Sequence, residues 1–364
     1  MPSPRRHSAR TLPLAALLAA VASACGQDAP PRIGSRAGDG GPVDGASPTP
    51  DLAHDFETVV IGPGEDSDEL CQQWTPGHTE PLAVGTLRME STGGFHHMNF
   101  FYVPEDHLPG PDGTFRCADR GYDMQLAAIV GGVLFAQSTQ AQAEVQQFGA
   151  GAVVEVPPGF KIVGNLHVVN PTSEPLDARL RFEFFTLPES EITARLTGFL
   201  LQYGALDIPA RARSRFSTSC TFDARHEALF GRPADFGIRW LLPHYHALGE
   251  LLRVELLRGG SGEVLVETTR PIGEPVGKAF DPPVTLAEGD QIRLTCGFDN
   301  PGARPVGWGL SKGEMCIVFG FSDSPALFLG DGKLDAGRTG VLPDGVLEHE
   351  AGCEIIGAVP VVNQ

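Results

Sequence analysis

What most constrains this chain is how often its apolar runs are interrupted. From about residue 56 onward, short runs of β-branched, aromatic and aliphatic residues are bounded by Gly, Pro, Asn and Asp. The clearest runs are 82–89, 97–103, 126–135, 152–156, 161–169 and 176–187 in the first half. The second half continues with 192–202, 214–222, 236–242, 250–257, 263–268, 291–298 and 314–321. Within Leu180-Arg181-Phe182-Glu183-Phe184-Phe185 apolar and polar residues nearly alternate, the pattern of a strand with one face in a core. With 45 Gly and 31 Pro in 364 residues, the pattern predicts an all-β protein of two antiparallel, jelly-roll-like β-sandwich domains in tandem. The predicted domains are residues 56–187 and 188–364, joined near Pro188 to Ser190. Residues 330–345 read as a loop, because their Gly-Asp-Gly-Lys-Leu-Asp run lacks the spacing of a calcium site.

The N-terminal segment predicts where such a chain works. Arg5, Arg6 and Arg10 precede a short apolar run from Leu12 to Val21 and the small residues Ala22-Ser23-Ala24 before Cys25. This is the layout of a secretion signal over residues 1–24. The small-small-Cys ending resembles a bacterial lipobox, with Cys25 as a lipidated first residue; cleavage after Ala24 without lipid is the alternative. Residues 25–55, rich in Gly, Pro, Ala, Ser and Asp, read as a disordered tether. The expected location is therefore exported: a bacterial envelope lipoprotein of the outer membrane or periplasm, otherwise a secreted protein. Any membrane attachment is expected only through a lipid on Cys25.

Charge narrows the partners. Acids outnumber bases 45 to 27, a net -18, and removing the three arginines of residues 1–24 gives -18 - 3 = -21. A body this acidic is a poor nucleic-acid binder. Besides Cys25 there are six cysteines, Cys71, Cys117, Cys220, Cys296, Cys316 and Cys353, none in CxxC spacing. In an oxidising compartment an even set reads as up to three disulfides.

Three stretches carry metal-ligand side chains in or beside a predicted strand. In Gly94-Phe95-His96-His97-Met98 the adjacent histidines point to opposite faces of an extended chain. They can meet one metal only if the backbone turns locally, a freedom that Gly93 and Gly94 supply. In His244-Tyr245-His246 the i, i+2 spacing puts both imidazoles on one face. In Glu314-Met315-Cys316 a methionine lies in an apolar run, and a thioether beside two histidines makes a soft site that suits Cu(I). The remaining histidines of the body, His54, His78, His107, His226 and His349, read as surface groups.

Taken together these stretches resemble the copper type II, ascorbate-dependent monooxygenases, the family of peptidylglycine α-hydroxylating monooxygenase and dopamine β-monooxygenase. That family has a His-His-Met segment, matched by His96-His97-Met98; an HxHxxG stretch, matched by His244 to Gly249; and a Glu-Met-Cys segment, matched by Glu314-Met315-Cys316. Its strand histidine before an Asn-Pro is similar to His167 ahead of Asn170-Pro171. The resemblance spans about residues 65–355. It implies one copper on His96, His97 and His167 in the first domain and a second on His244, His246 and Met315 in the other, facing each other across a cleft. It also implies the pairs Cys71–Cys117 and Cys296–Cys316, which leaves Cys220 with Cys353.

The implied activity is hydroxylation of an aliphatic C–H bond of a small molecule by O2, with ascorbate or a similar reductant as electron donor. His244, His246 and Met315 would carry the O2-reactive copper. The family's peptide contacts are missing: its Arg before the HxH pair and its Asn and Tyr after the methionine are replaced by Leu242, Ile317 and Phe319. A less polar substrate than a peptide is the resulting expectation. Two readings stand beside the enzyme: a non-catalytic copper-binding envelope lipoprotein, and a structural or adhesive envelope protein.

Overall fold

A computed structural model describes residues 48–137, 141–269, 277–309 and 313–363. Its body is all-β, as the residue pattern predicts, with two α-helices among the described residues, Met124–Val130 and Asp223–Phe230. The predicted signal over 1–24, Cys25 and most of the tether lie outside those residues.

The first half builds two sheets. Strands Phe95–Pro104 and Phe160–Val169 run antiparallel at the centre of a five-stranded sheet flanked by Asp66–Trp74 and Gly132–Ala136. Strands Leu82–Ser91 and Leu180–Thr186 are antiparallel neighbours in a six-stranded sheet. The alternation in Leu180–Thr186 is realised as predicted: Leu180, Phe182 and Phe184 are buried and Arg181 and Glu183 are not. Phe182 meets Phe100 and Phe135 of the opposite sheet at ring distances of 4.8 and 5.1 Å. Each fully buried side chain of this size contributes roughly 1.5–3 kcal/mol, against about 0–1 kcal/mol for a surface ion pair such as Arg116–Glu69. The apolar filling, not the charges, holds the two layers together.

The second half is one ten-stranded sheet. It runs from edge strand Ser261–Thr268 through Gly249–Arg258, Gln291–Asn300, Ala212–Cys220, Leu347–Ala358, Leu327–Val341, Thr197–Gln202, Ile317–Ser322 and Phe236–His244 to Lys278–Leu286. Leu252 and Val254 from one end share a core with Ile238 and Leu241 from the other, so the sheet curls back on itself. Strictly antiparallel sheets were the expectation; Thr197–Gln202 with Leu327–Val341, Ala212–Cys220 with Leu347–Ala358, and Ala194–Arg195 with Ala152–Val156 pair in parallel.

The two halves meet on apolar side chains. Trp240, Leu242, Phe321 and Leu327 of the second half belong to the first half's core cluster, and Phe148 lies 4.8 Å from Phe321. Residues Thr49–Gln364 accordingly form one compact unit. All three disulfides are present: Cys71–Cys117, Cys220–Cys353 and Cys296–Cys316. They fit an oxidising, exported location.

Four local expectations are corrected. The run 126–135 is not one strand. Asp123 caps helix Met124–Val130 by accepting from the Leu126 N–H at 2.8 Å, and the chain then breaks at Gly131, where a Cβ would lie 1.8 Å from the Tyr102 carbonyl oxygen. Residues 330–345 are not a plain loop, because Leu327–Val341 is a strand paired with Leu347–Ala358 through three register shifts; backbone pairing needs no apolar side chains. The tether does not extend to residue 55, since Leu52–Asp55 pairs with Arg181–Phe184 and Arg181 bonds Asp55 at 2.6 Å. His226 and His349 are not surface groups: His226 is buried beneath Phe236 and Phe328, and His349 stacks on Phe216.

Candidate metal centre

The first two ligand candidates owe their position to a β-bulge. His97 pairs with His167 across neighbouring strands, but the next pair is Phe95 with Val168, so His96 is the extra residue of the bulge. This is the local turn that adjacent histidines need. Gly94 enters it at φ 84°, and its carbonyl accepts from the Val169 N–H at 2.8 Å. A side chain there would press on Ile61 and Leu176 at 2.6 and 2.8 Å, so glycine is required on both counts. Ring centroids of His96 and His97 consequently lie 5.3 Å apart, and those of His96 and His167 4.7 Å.

Strand periodicity brings in the other pair. Trp240 and Leu242, which face the seam between the halves, are followed at the same two-residue period by His244, the last residue of strand Phe236–His244. His246 lies two residues beyond it. Strand Ile317–Ser322 runs alongside, with Leu242, Pro243 and His244 opposite Phe319, Val318 and Ile317. Buried Met315 lies two residues before that strand, and the Glu314 carboxylate links its backbone N–H to that of His246.

The sequence-derived ligand sets do not stay apart. His97 lies 5.3 Å from His244 and 5.9 Å from His246, and His96 lies 5.4 Å from His246, ring to ring. The five imidazoles form one cluster, and the cleft expected between the sets is absent from it. The three histidines whose ligand atoms all lie within 4.8 Å of one another are His97, His244 and His246, one from the first set and two from the second.

Hydrogen bonds fix which nitrogens are offered. A Gly313 carbonyl 2.9 Å from His246 Nδ1 can only accept, so Nδ1 carries the proton. Nε2 of His246 is then a lone pair, buried and without a hydrogen-bond partner. Asp66 Oδ1, 2.8 Å from His167 Nε2, likewise accepts from that N–H, and His167 Nδ1 lies 3.3 Å from His97 Nε2. A carboxylate or carbonyl behind an imidazole is the arrangement that orients metal-bound histidines.

Electrostatics keep three of the rings, His96, His97 and His246, neutral. Burial, then the neighbouring His167 and His246, lower His96 to about 4. Burial followed by His244, His167 and His96 pushes His97 well below 6.5, and burial also lowers His246. Neutral imidazole is the ligand form. An orphaned buried nitrogen and uncharged rings at His96, His97 and His246 therefore fit a transition-metal ion, and imidazole donors are ones that copper accepts.

Two positioning residues carry no sequence signal of their own. Asp66 is an ordinary acid in an acidic stretch. Glu314 was visible only as part of a three-residue match, yet its buried carboxylate accepts from the backbone N–H of Leu248 at 2.7 Å, His246 at 3.0 Å and Met315 at 3.3 Å. It ties the His246 turn to the Met315 segment, and burial raises its pKa. Cys316, bonded to Cys296 of the neighbouring region, anchors the same segment.

No family model matches the chain, and no curated protein does. Among solved structures the chain is similar to the PBSX exported protein XepA over 75% of its own length and 86% of that chain, at 8% identity and a TM-score of 0.21. A likeness that slight carries no argument.

Proposed function

We propose that the protein is a copper-dependent monooxygenase that hydroxylates an aliphatic C–H bond of a small molecule, using O2 and a reductant such as ascorbate, in the manner of the copper type II family its motifs resemble. The observation that carries this reading is the buried, unpartnered Nε2 of His246 beside His96 and His97, in a group of rings that burial keeps neutral. Copper held there by His96, His97, His167, His244, His246 and Met315 would supply one-electron redox chemistry and a site for O2.

The chain's own residues orient and exclude. Gly313 sets the tautomer of His246 and Asp66 orients His167, and Glu314 fixes the spacing between the His246 turn and Met315. Leu242, Ile317 and Phe319 stand around the HxH pair as apolar groups, which suits a substrate of low polarity. On this reading the protein is an exported envelope lipoprotein, anchored through Cys25.

A second reading is a non-catalytic copper-holding lipoprotein; the closeness of the two histidine sets favours it, since it leaves no cleft between them. Copper-loaded protein offered ascorbate, O2 and small hydrophobic or phenolic compounds separates the two. Substrate-stimulated O2 uptake supports the enzyme. Stoichiometric copper without turnover under any reductant leaves the holding role, and a failure to bind copper removes both.

A further inference from the structure

Three imidazoles drawn from both halves of the body lie close enough to share one ion. One ligand atom each of His97, His244 and His246 falls within 4.8 Å of the others, and among the described residues no other three His, Cys, Asp or Glu side chains do so. His96 and His167, the motif partners of His97, stand outside this group. An ion at its middle is no more than about 2.8 Å from each of the three atoms, so a shift of less than about 1 Å per side chain reaches the usual metal bond of about 2.0–2.1 Å to an imidazole nitrogen. A second observation points to the same place. The Nε2 of His246, whose Nδ1 donates to the Gly313 carbonyl, is buried without a hydrogen-bond partner, and His246 is only 4% exposed. The backbone holds the trio from both sides: pairing with His167 beside the bulge fixes His97 in the first half, and the seam strand carrying Trp240 and Leu242 brings His244 to it from the second.

We propose that the first transition-metal ion the protein takes up is held by His97, His244 and His246 together, in one mononuclear site that joins the two halves. The inference goes beyond the monooxygenase reading above and needs no turnover. The motifs assign His97 to one copper and His244 with His246 to another, whereas here each residue gives one nitrogen to a shared set and no ring serves two ions. Three imidazole donors suit Cu(II) or Zn(II). They leave a fourth position open for water or a small ligand, and half-buried His244 is the side from which solvent reaches it. A trio that is complete only when both halves are in place also makes ion binding depend on their packing.

The test uses the full chain with one equivalent of Cu(II). Anomalous diffraction at the copper edge from the wild-type protein should place a single ion among His97, His244 and His246. An ion held by His96, His97 and His167, or by His244, His246 and Met315 without His97, overturns the proposal. In solution, competition with a chelator follows the tightest-bound ion in His97→Gln and in His244→Gln. One shared site requires both variants to lose that ion, each weakening it by more than the about 100-fold that loss of a supporting partner costs. Separate sites leave it at wild-type affinity in one of the two variants, a result that overturns the proposal. The wild-type diffraction decides the question where a variant does not fold. A chain that binds no Cu(II) overturns the copper reading as well, whereas an ion found in either motif set overturns this proposal alone.

Discussion

His97 and His244 come from different halves of the chain, and their imidazoles lie 5.3 Å apart. An ion bound by both is a bond between the halves as well as a cofactor. Copper should therefore raise the melting temperature of the whole body in a single transition. The gain is about 2.7 kcal/mol when free copper is 100 times its dissociation constant. Calorimetry with and without the ion checks this; a shift confined to one of two separate transitions would count against it.

Asp66 acts on the centre through His167. Asp66→Asn keeps the size of the side chain but removes the carboxylate that takes the Nε2 proton. Copper affinity should fall by about 10–100-fold, the usual cost of losing such a partner. Because Asp66 is 40% exposed, the metal-free melting temperature should hardly change. Competition against a chelator measures the first effect and a thermal melt the second.

Met315 is buried, so truncation to alanine would mix a cavity with a lost ligand. Met315→Leu avoids that, since a volume-conserving swap costs under about 1.5 kcal/mol. The variant should fold, bind Cu(I) more weakly and lose reductant-dependent O2 uptake. Retention of turnover at the wild-type rate would remove Met315 from the site.

Acid should destabilise the metal-free protein. His96 is held at about 4, and His97 and His246 below 6.5. As pH falls through 6.5 the unfolded chain takes up protons that the folded chain refuses, so stability is present above 6.5 and is lost progressively toward about 4. Melting temperatures across that window should drop, and His96→Gln should make the drop shallower. An unchanged slope in the variant would show that the cluster is not the cause.

Leu242, Ile317 and Phe319 offer no partner for a peptide carboxylate. Each missing charge-assisted hydrogen bond is worth roughly 1.5–3 kcal/mol. A glycine-extended peptide should be neither bound nor hydroxylated at useful efficiency, and a product assay by mass spectrometry checks it.

Much of this was legible in the residues. Alternation in Leu180–Thr186 announced a half-buried strand, and the i, i+2 spacing of His244 and His246 announced a shared face. What escaped depended on tertiary contacts. Run 126–135 is apolar throughout, and only the Asp123 cap and the approach of Tyr102 to Gly131 split it. Strand Leu327–Val341 has the composition of a loop because its partners need only its backbone. Asp66 has no motif, since its role arises from the register that sets it beside His167. The merging of the two histidine sets was equally hidden: it depends on how tightly Trp240 and Phe321 draw the halves together, which no spacing within one strand encodes.

Strand Phe236–His244 is at once a load-carrying beam and a ligand arm, with Trp240 and Leu242 embedded in the seam and His244 at its tip. Packing errors at the seam are thereby transmitted along a stiff lever to the imidazoles. A substitution at Phe148, which touches Phe321 and Trp240 but no histidine of the cluster, would detune the centre from a distance. Selection on the metal chemistry of this protein would thus reach well into residues that never meet the metal.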